Sequence, residues 1–535
     1  VRRRHFLAGA AALAATPPIR GRNGPARFQA SWDSLAGGWR APDWFRDAKF
    51  GIWAHWGPQC VPEAGDWYAR LMYLQGQPAY EHHLAYYGHP ADTGFLDIIG
   101  RWKAQAWDPD GLVSFYKENG ARYFVALANH HDNFDCYASS HHGWNSLRVG
   151  PKKDLIGGWA RAAREAGLRF GVSNHSAHAW HWYQPAYGYD PTGPRKGQRY
   201  DAFRLRRSDG RGTWWEGLDP QALYTGPHMV VPDGIDDIAK MNRWHDTHDG
   251  QWLETPPPAD PVFAERWLAR CMELTDRYDP DLLYFDDTGL PLGPYGLRAT
   301  AHFYSRNAAR RGRVEAVVTG KQLTGLQRRA IVEDVERGFS DHLREEPWQT
   351  DTCIGDWHYN RARFEQRSYV PAKAVVQRLC DVVAKNGNLL LSVPVRGDGS
   401  IDAEERRIVA DIGAWLRRNG EAIYGSRPWR SFGEGPMRPA AGMLNEGQAK
   451  PFTSADIRFT TRSGALYAIA LDTPADGMVR IESLGSAVAA PVQRVELLGG
   501  GAVRFRQEPG ALVIEGVRGA ALGIPVLRLL GDRLS

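Results

Sequence analysis

At 535 residues the chain exceeds one ordinary domain and is long enough to bury a large core. Its 66 basic and 61 acidic residues leave a formal charge of +5 without a long basic run, so nucleic acid is not indicated as a partner. The 21 tryptophans and 21 tyrosines suit a sugar-binding cleft, where C–H faces stack on rings, although large cores also use them.

Arg2, Arg3 and Arg4 precede an alanine-rich apolar run to Ala15, with Ala12-Leu13-Ala14 as a small-residue cleavage site. Arg3-Arg4-His5-Phe6-Leu7 has the twin-arginine arrangement that exports folded proteins. Residues 1–30 are therefore expected to be an export signal and flexible N-terminus, and the protein to be periplasmic or secreted. The apolar run is about ten residues, against the roughly 20 of a membrane span, so no stable membrane insertion is expected. Cys60, Cys136, Cys271, Cys353 and Cys380 are odd in number, far apart and without metal spacing. They read as free, buried thiols, in keeping with folding before export.

The apolar run Phe50–Ala54 predicts a first strand, with His55 just past its end. A second runs from Tyr123 to Ala128 and ends in Asn129-His130-His131-Asp132. A third ends at Ser173-Asn174-His175 and follows a helix predicted from Leu155 to Ala166. Asp260-Pro261 supplies an N-cap and first helical position for the next helix. The buried strand Leu282–Phe285 then ends in Asp286 and Asp287. Further strands are expected before Lys321 and over Asn386–Pro394, with a weaker rim segment at Asp351–Trp357. The Gly-, Pro- and Trp-rich interval from His175 to Pro261 reads as an elaborated rim loop. Apolar strands alternating with helices predict a (β/α)8-like TIM barrel over residues 31–430. Period-two alternation at Tyr467/Ile469/Leu471, Val495/Leu497 and Leu512/Ile514 then predicts a small β-sandwich over 431–535.

In a parallel barrel the C-terminal strand ends share one face. The recurrence of His55, His130, His131, His175, Asp286 and Lys321 there is therefore more telling than any one of them. Metal-dependent hydrolysis is disfavoured, because neighbouring strand residues point to opposite faces and His130 and His131 should not meet one ion. The helical H-E-x-x-H spacing is also missing, as is the G-x-S-x-G elbow of serine hydrolases. Glycoside hydrolysis fits best, since it needs two carboxylates flanking a sugar, with other side chains for hydroxyls and ring faces.

Five motifs carry a resemblance: Trp44-Phe-Arg-Asp-Ala-Lys-Phe-Gly-Ile-x-x-His55-Trp-Gly, Asn129-His130-His131-Asp-x-Phe, Leu-Leu-Tyr-Phe-Asp286, Pro347-Trp-Gln-Thr-Asp-Thr-Cys-Ile-Gly-Asp-Trp357 and Val382-Val-Ala-Lys-Asn-Gly-Asn-Leu-Leu-Leu. Together they resemble the α-L-fucosidases of glycoside hydrolase family 29, in the family's order from about Trp44 to Ile401. The resemblance implies an exo-acting retaining hydrolase without metal or cofactor, acting on a fucosylated oligosaccharide or glycoconjugate, with Asp286 as nucleophile. It implies sugar contacts from His55, Asp66, Trp67, His130, His131, Lys321 and Trp357; Asp66 stands where many relatives carry glutamate, and Lys321 where some place arginine. It puts the acid/base in the loop 332–338, with Glu336 the first choice and Glu333 the second. Ser173-Asn174-His175 and Asp287-Thr288 depart from the family pattern. The stretch His175-Ser-Ala-His178-Ala-Trp-His181-Trp is read either as shaping an aglycone subsite or as a loop anchored by its histidines. The alternatives are a non-catalytic carbohydrate-binding protein, or a glycosidase for L-galactosides or for sulfated fucans drawn by Arg204, Arg206 and Arg207.

Overall fold

The computed structural model describes residues 28–251, 260–518 and 521–534, so the basic and alanine-rich N-terminal run lies outside the described residues. Eight parallel strands close a barrel in sequence order: β1 (Phe50–Ala54), β2 (Tyr123–Asn129), β3 (Arg169–Asn174), β4 (Leu282–Thr288), β5 (Val317–Lys321), β6 (Val332–Asp334), β7 (Trp348–Cys353) and β8 (Gly387–Ser392). Closure comes from β8 pairing with β1, Phe50 opposite Leu389 and Trp53 opposite Ser392, which leaves no edge. Helices cover the outside, so strands are buried on both faces and read as continuous apolar runs. β1, β2 and β8 are buried along their whole lengths. Gly51 is needed for a close approach, since a Cβ there would lie 2.3 Å from the Tyr123 ring. That ring reaches β7, where its hydroxyl donates to Gln349 Oε1 at 2.9 Å.

Local signals set the helices. Asp260 caps the helix Pro261–Tyr278 by accepting the Phe263 N–H at 2.8 Å, with Pro261 at the first position. Asp154 caps Leu155–Glu165 through the Gly157 N–H at 3.0 Å. Two strands differ from the sequence reading. Val332–Asp334, expected as loop, is a strand of three residues, too short to show periodicity. The rim segment expected at Asp351–Trp357 is the end of a full strand, β7, whose Gln349, Thr350, Asp351 and Thr352 break the apolar signal. Most of their polar groups find partners: the Tyr284 hydroxyl, for example, donates to Asp351 Oδ2 at 2.6 Å, and the Gln349 amide to Asp334 Oδ1 at 2.8 Å.

Beyond the helix Ala403–Asn419 the chain turns antiparallel, with β9 (Arg427–Glu434), β10 (Ile457–Arg462), β11 (Ala465–Ala470), β12 (Met478–Ile481), β13 (Arg494–Leu497), β14 (Gly501–Ala502), β15 (Arg504–Gln507), β16 (Leu512–Glu515) and β17 (Val526–Leu530). One sheet runs β14-β13-β17-β11-β10-β9 and the other β12-β16-β15. Alternation assigns the faces of β11. Leu466, Ala468 and Ala470 share a core with Ile481 and Ile514 of the second sheet. Tyr467, Ile469 and Leu471 instead join the core that continues into the barrel. At that seam Asp381 of the helix Ala372–Ala384 accepts from Arg458 Nε of β10 at 2.6 Å and from Lys385 Nζ at 2.7 Å. Among the described residues no helix is long and apolar enough to cross a membrane. All five cysteines are buried and unpaired.

Candidate active site

The C-terminal ends of the barrel strands open on a cavity of about 520 Å³. His55 follows β1, His130 and His131 follow β2, Asp286 lies in β4, Lys321 ends β5, Glu336 follows β6 and Trp357 follows β7. Asp66 and Trp67 reach the same cavity from the loop after β1, so all nine expected site residues line it. Trp53 and Tyr284, buried barrel residues, line it as well.

Lys321 Nζ donates to both Asp286 Oδ1 and Glu336 Oε2. Two hydrogen bonds to one nitrogen hold the nearest oxygens of the two acids within about 6 Å of each other. The second oxygen of Asp286 lies 3.2 Å from His175 Nδ1 and 3.6 Å from His131 Nε2. Burial by itself raises the Asp286 carboxyl, but the Lys321 ammonium and His175 outweigh it and hold Asp286 well below the usual carboxylate range. Lys321 mirrors this: burial works against its charge, and the two carboxylates more than compensate, holding it well above the ordinary lysine range.

Glu333 faces elsewhere. Its carboxylate is held by Arg328 at 2.8 Å, Arg344 at 2.5 Å and the Leu323 N–H at 2.9 Å, and it does not line the cavity. The geometry therefore separates the two candidate glutamates that the sequence left ranked but unresolved.

The histidines form a neutral wall. Burial first, and neighbouring histidines second, push His55, His130 and His131 well below the ordinary histidine range. A neutral imidazole donates through one nitrogen and accepts through the other, which suits a hydroxyl. Gln59 fixes one of them. Its Oε1 accepts the Ala69 N–H at 3.2 Å, so its amide NH2 donates to His130 Nδ1 at 2.8 Å and the His130 proton sits on Nε2. His131 donates from Nδ1 to the His175 carbonyl at 2.8 Å. The expectation that strand alternation keeps His130 and His131 from facing one ion fails, because β2 ends at Asn129 and alternation no longer governs them; their ring centroids are 4.2 Å apart. Ring nitrogens of His55, His130 and His358, and of His130, His131 and His175, come within 4.8 Å of one another, a spacing that could also hold a metal ion.

With this geometry established, the model of the α-L-fucosidase family matches residues 19–421. The chain belongs to the α-L-fucosidase family. It is 26% identical over 490 residues to a tissue α-L-fucosidase of Bos taurus, spanning 89% of this chain and 83% of that one. To the tissue α-L-fucosidase of Homo sapiens it is 25% identical over 476 residues, spanning 88% and 84%. A Thermotoga maritima α-fucosidase solved in complex with a mechanism-based inhibitor superposes with a TM-score of 0.66 at 25% identity, over 94% of this chain and 100% of that one.

Several residues in or beside this fucosidase-family site have no role in the sequence reading. His175, expected at the strand-end rim but given no role in the site, touches Asp286. His358, next to the expected Trp357, donates its N–H to Asp66 Oδ1 at 2.7 Å. Asp351 and Asp334 form a buried acid pair bridged by the Tyr284 hydroxyl, at 2.6 and 3.2 Å. Burial, chiefly, pushes Asp334 up to about 7 and Asp351 well above the carboxylate range. Met443 and Leu444 come from the loop between β9 and β10, and no local motif marks them. Of the His175–Trp182 stretch only His175 lines the cavity. His178 Nε2 instead lies 2.8 Å from Asp287 Oδ1, both buried, which favours the anchored-loop reading over an aglycone subsite. Arg204, Arg206 and Arg207 do not line the cavity; Arg207 borders a separate surface hollow.

Proposed function

We propose that this family member hydrolyses terminal α-L-fucosyl residues of glycans by double displacement, with Asp286 as nucleophile and Glu336 as acid/base. The observation that carries it is the pair of carboxylates held by one lysine at the barrel mouth. Their separation, within about 6 Å, falls nearer the roughly 5–5.5 Å of retaining enzymes than the roughly 6.5–9.5 Å of inverting ones. Asp286, kept ionised, attacks the anomeric carbon; the glycosidic C–O bond breaks as Glu336 gives its proton to the leaving oxygen. Glu336 then takes a proton from water, whose oxygen attacks the anomeric carbon and releases Asp286. His55, His130, His131 and Asp66 are placed for the sugar hydroxyls, and Trp67 and Trp357 for its ring face. Release of 4-nitrophenol from its α-L-fucoside tests this. Asp286→Asn should lose at least about 10³-fold in kcat, and EDTA should not change wild-type turnover. An active Asp286→Asn enzyme would remove the nucleophile from this reading.

We also propose export by the twin-arginine route, to the periplasm or beyond. The Arg3-Arg4-His5-Phe6-Leu7 run and five unpaired cysteines support it. Replacing Arg3 and Arg4 together by lysine should retain the protein in the cytoplasm of a bacterial host, read by fractionation; unchanged export would overturn the route.

A further inference from the structure

Residues 435–456, between β9 and β10, leave the sheets and run back over the barrel mouth. Gly442 makes an antiparallel bridge with Phe339, through N–H to carbonyl bonds of 3.1 and 3.2 Å. The Leu444 N–H donates to the carbonyl of Glu336 itself at 2.8 Å, and the Glu446 N–H to that of Arg337 at 3.0 Å. The Glu446 carboxylate is gripped by Arg337 and Arg378 and by the Thr352 hydroxyl, the last at 2.7 Å. Three barrel side chains thus clamp a loop that belongs to another unit.

The clamp presents Met443 and Leu444 to the catalytic cavity. Leu444 is 65% exposed and has φ +55°, a left-handed conformation that a leucine rarely adopts. An exposed apolar side chain on a strained backbone, bonded to the backbone of the acid/base, is the kind of outlier that marks a functional contact. Met443 Sδ accepts from Gln322 Nε2 at 3.7 Å, which ties it to the residue after Lys321. Arg337 and Arg378 are spent on Glu446, and the loop's own Arg438 and Lys450 border a different hollow, so the surface the loop offers to the cavity is apolar and neutral.

We propose that Met443 and Leu444 form the platform for the first ring of the leaving group, a neutral pyranose lying with its C–H face on them. This rests on the fucosidase reading above: the proton donor must touch the leaving oxygen, so whatever is built against Glu336 meets the leaving group. The C-terminal sheets thereby set leaving-group preference in a reaction run by the barrel.

The test compares substrates that share a fucosyl group and differ in what departs. α-L-Fucosyl fluoride loses a single atom that never reaches the loop, whereas 4-nitrophenyl fucoside and a fucosyl disaccharide lose a ring. In a Met443→Ser, Leu444→Ser double variant, the ratio of kcat/KM for either ring-bearing substrate to that for the fluoride should fall about tenfold, as expected for lost apolar contact in a pocket. Leu444→Met should retain the ratio. The fluoride rate reports the folded, competent fraction, so misfolding lowers both rates and leaves the ratio alone. A ratio unchanged in a variant still active on the fluoride would overturn the platform. A wild-type enzyme inactive on every fucoside would overturn the fucosidase reading instead.

Discussion

The barrel and the C-terminal sheets contribute to one cavity in different ways. All 18 histidines and all five cysteines precede β9. Barrel strands run parallel in a closed ring, so every strand ends at the same rim, and a polar residue placed one step past an apolar run joins all the others. The antiparallel strands end in turns at both ends of the sheets, and aliphatic residues such as Leu466, Ile481, Ile514 and Leu527 fill the space between. No set of proton-active groups converges there by topology. Among the described residues the sheets reach the site only through residues 435–456, and they contribute shape rather than chemistry. Convergence of reactive groups is a property of the closed parallel fold, while the walls of a cavity can be supplied by any loop long enough to reach it.

If the two units act on one cavity, they must be held together, and the seam at Asp381 is where that comparison breaks most visibly. Asp381 accepts from Arg458 and Lys385, and all three are buried. Burial pushes its carboxyl up, but the two cations outweigh it and hold it below the usual range. Asp381→Ala leaves two buried cations unpaired and should lower unfolding stability by about 3–5 kcal/mol, measured by urea denaturation. The folded carboxyl has the lower pKa, so this contribution is present above the unfolded carboxylate range and lost as pH falls through the folded value. A loss under about 1 kcal/mol would mean that apolar contact alone joins sheet and barrel.

The parts legible in the sequence were those where a single local rule decides. β1, β2, β4 and β8 show as continuous apolar runs, and Asp260-Pro261 as a helix start. The strand-end residues His55, His130, Asp286 and Lys321 follow from the barrel once the runs are seen. β7 was underread because Gln349 and Asp351 turn polar groups inward, satisfied by Tyr123 and Tyr284 from distant strands. Which of Glu336 and Glu333 faces the cavity depends on Arg328 and Arg344 claiming Glu333, a pairing with no sequence signature. Met443 and Leu444 were invisible for the same reason: only the fold of the β9–β10 loop brings them to Glu336.

The subtlest expected effect separates the two units by charge. In the proposed mechanism Asp286 must be ionised to attack, and Lys321 is the strongest influence opposing the upward push of burial on it. Lys321→Met removes that opposition and leaves only His175 and His131 to hold the carboxyl down. The acid limb of kcat/KM should therefore move to higher pH, because the nucleophile now protonates sooner as pH falls. The Met443→Ser, Leu444→Ser variant adds and removes no titrating group, so its acid limb should stay where the wild-type limb is. The two pH profiles, recorded on 4-nitrophenyl fucoside, place the control of charge in the barrel and the control of fit in the sheets. An unmoved limb in Lys321→Met would detach the lysine from the nucleophile's ionisation, and a moved limb in the double variant would show that the sheet loop governs charge at the mouth as well as shape.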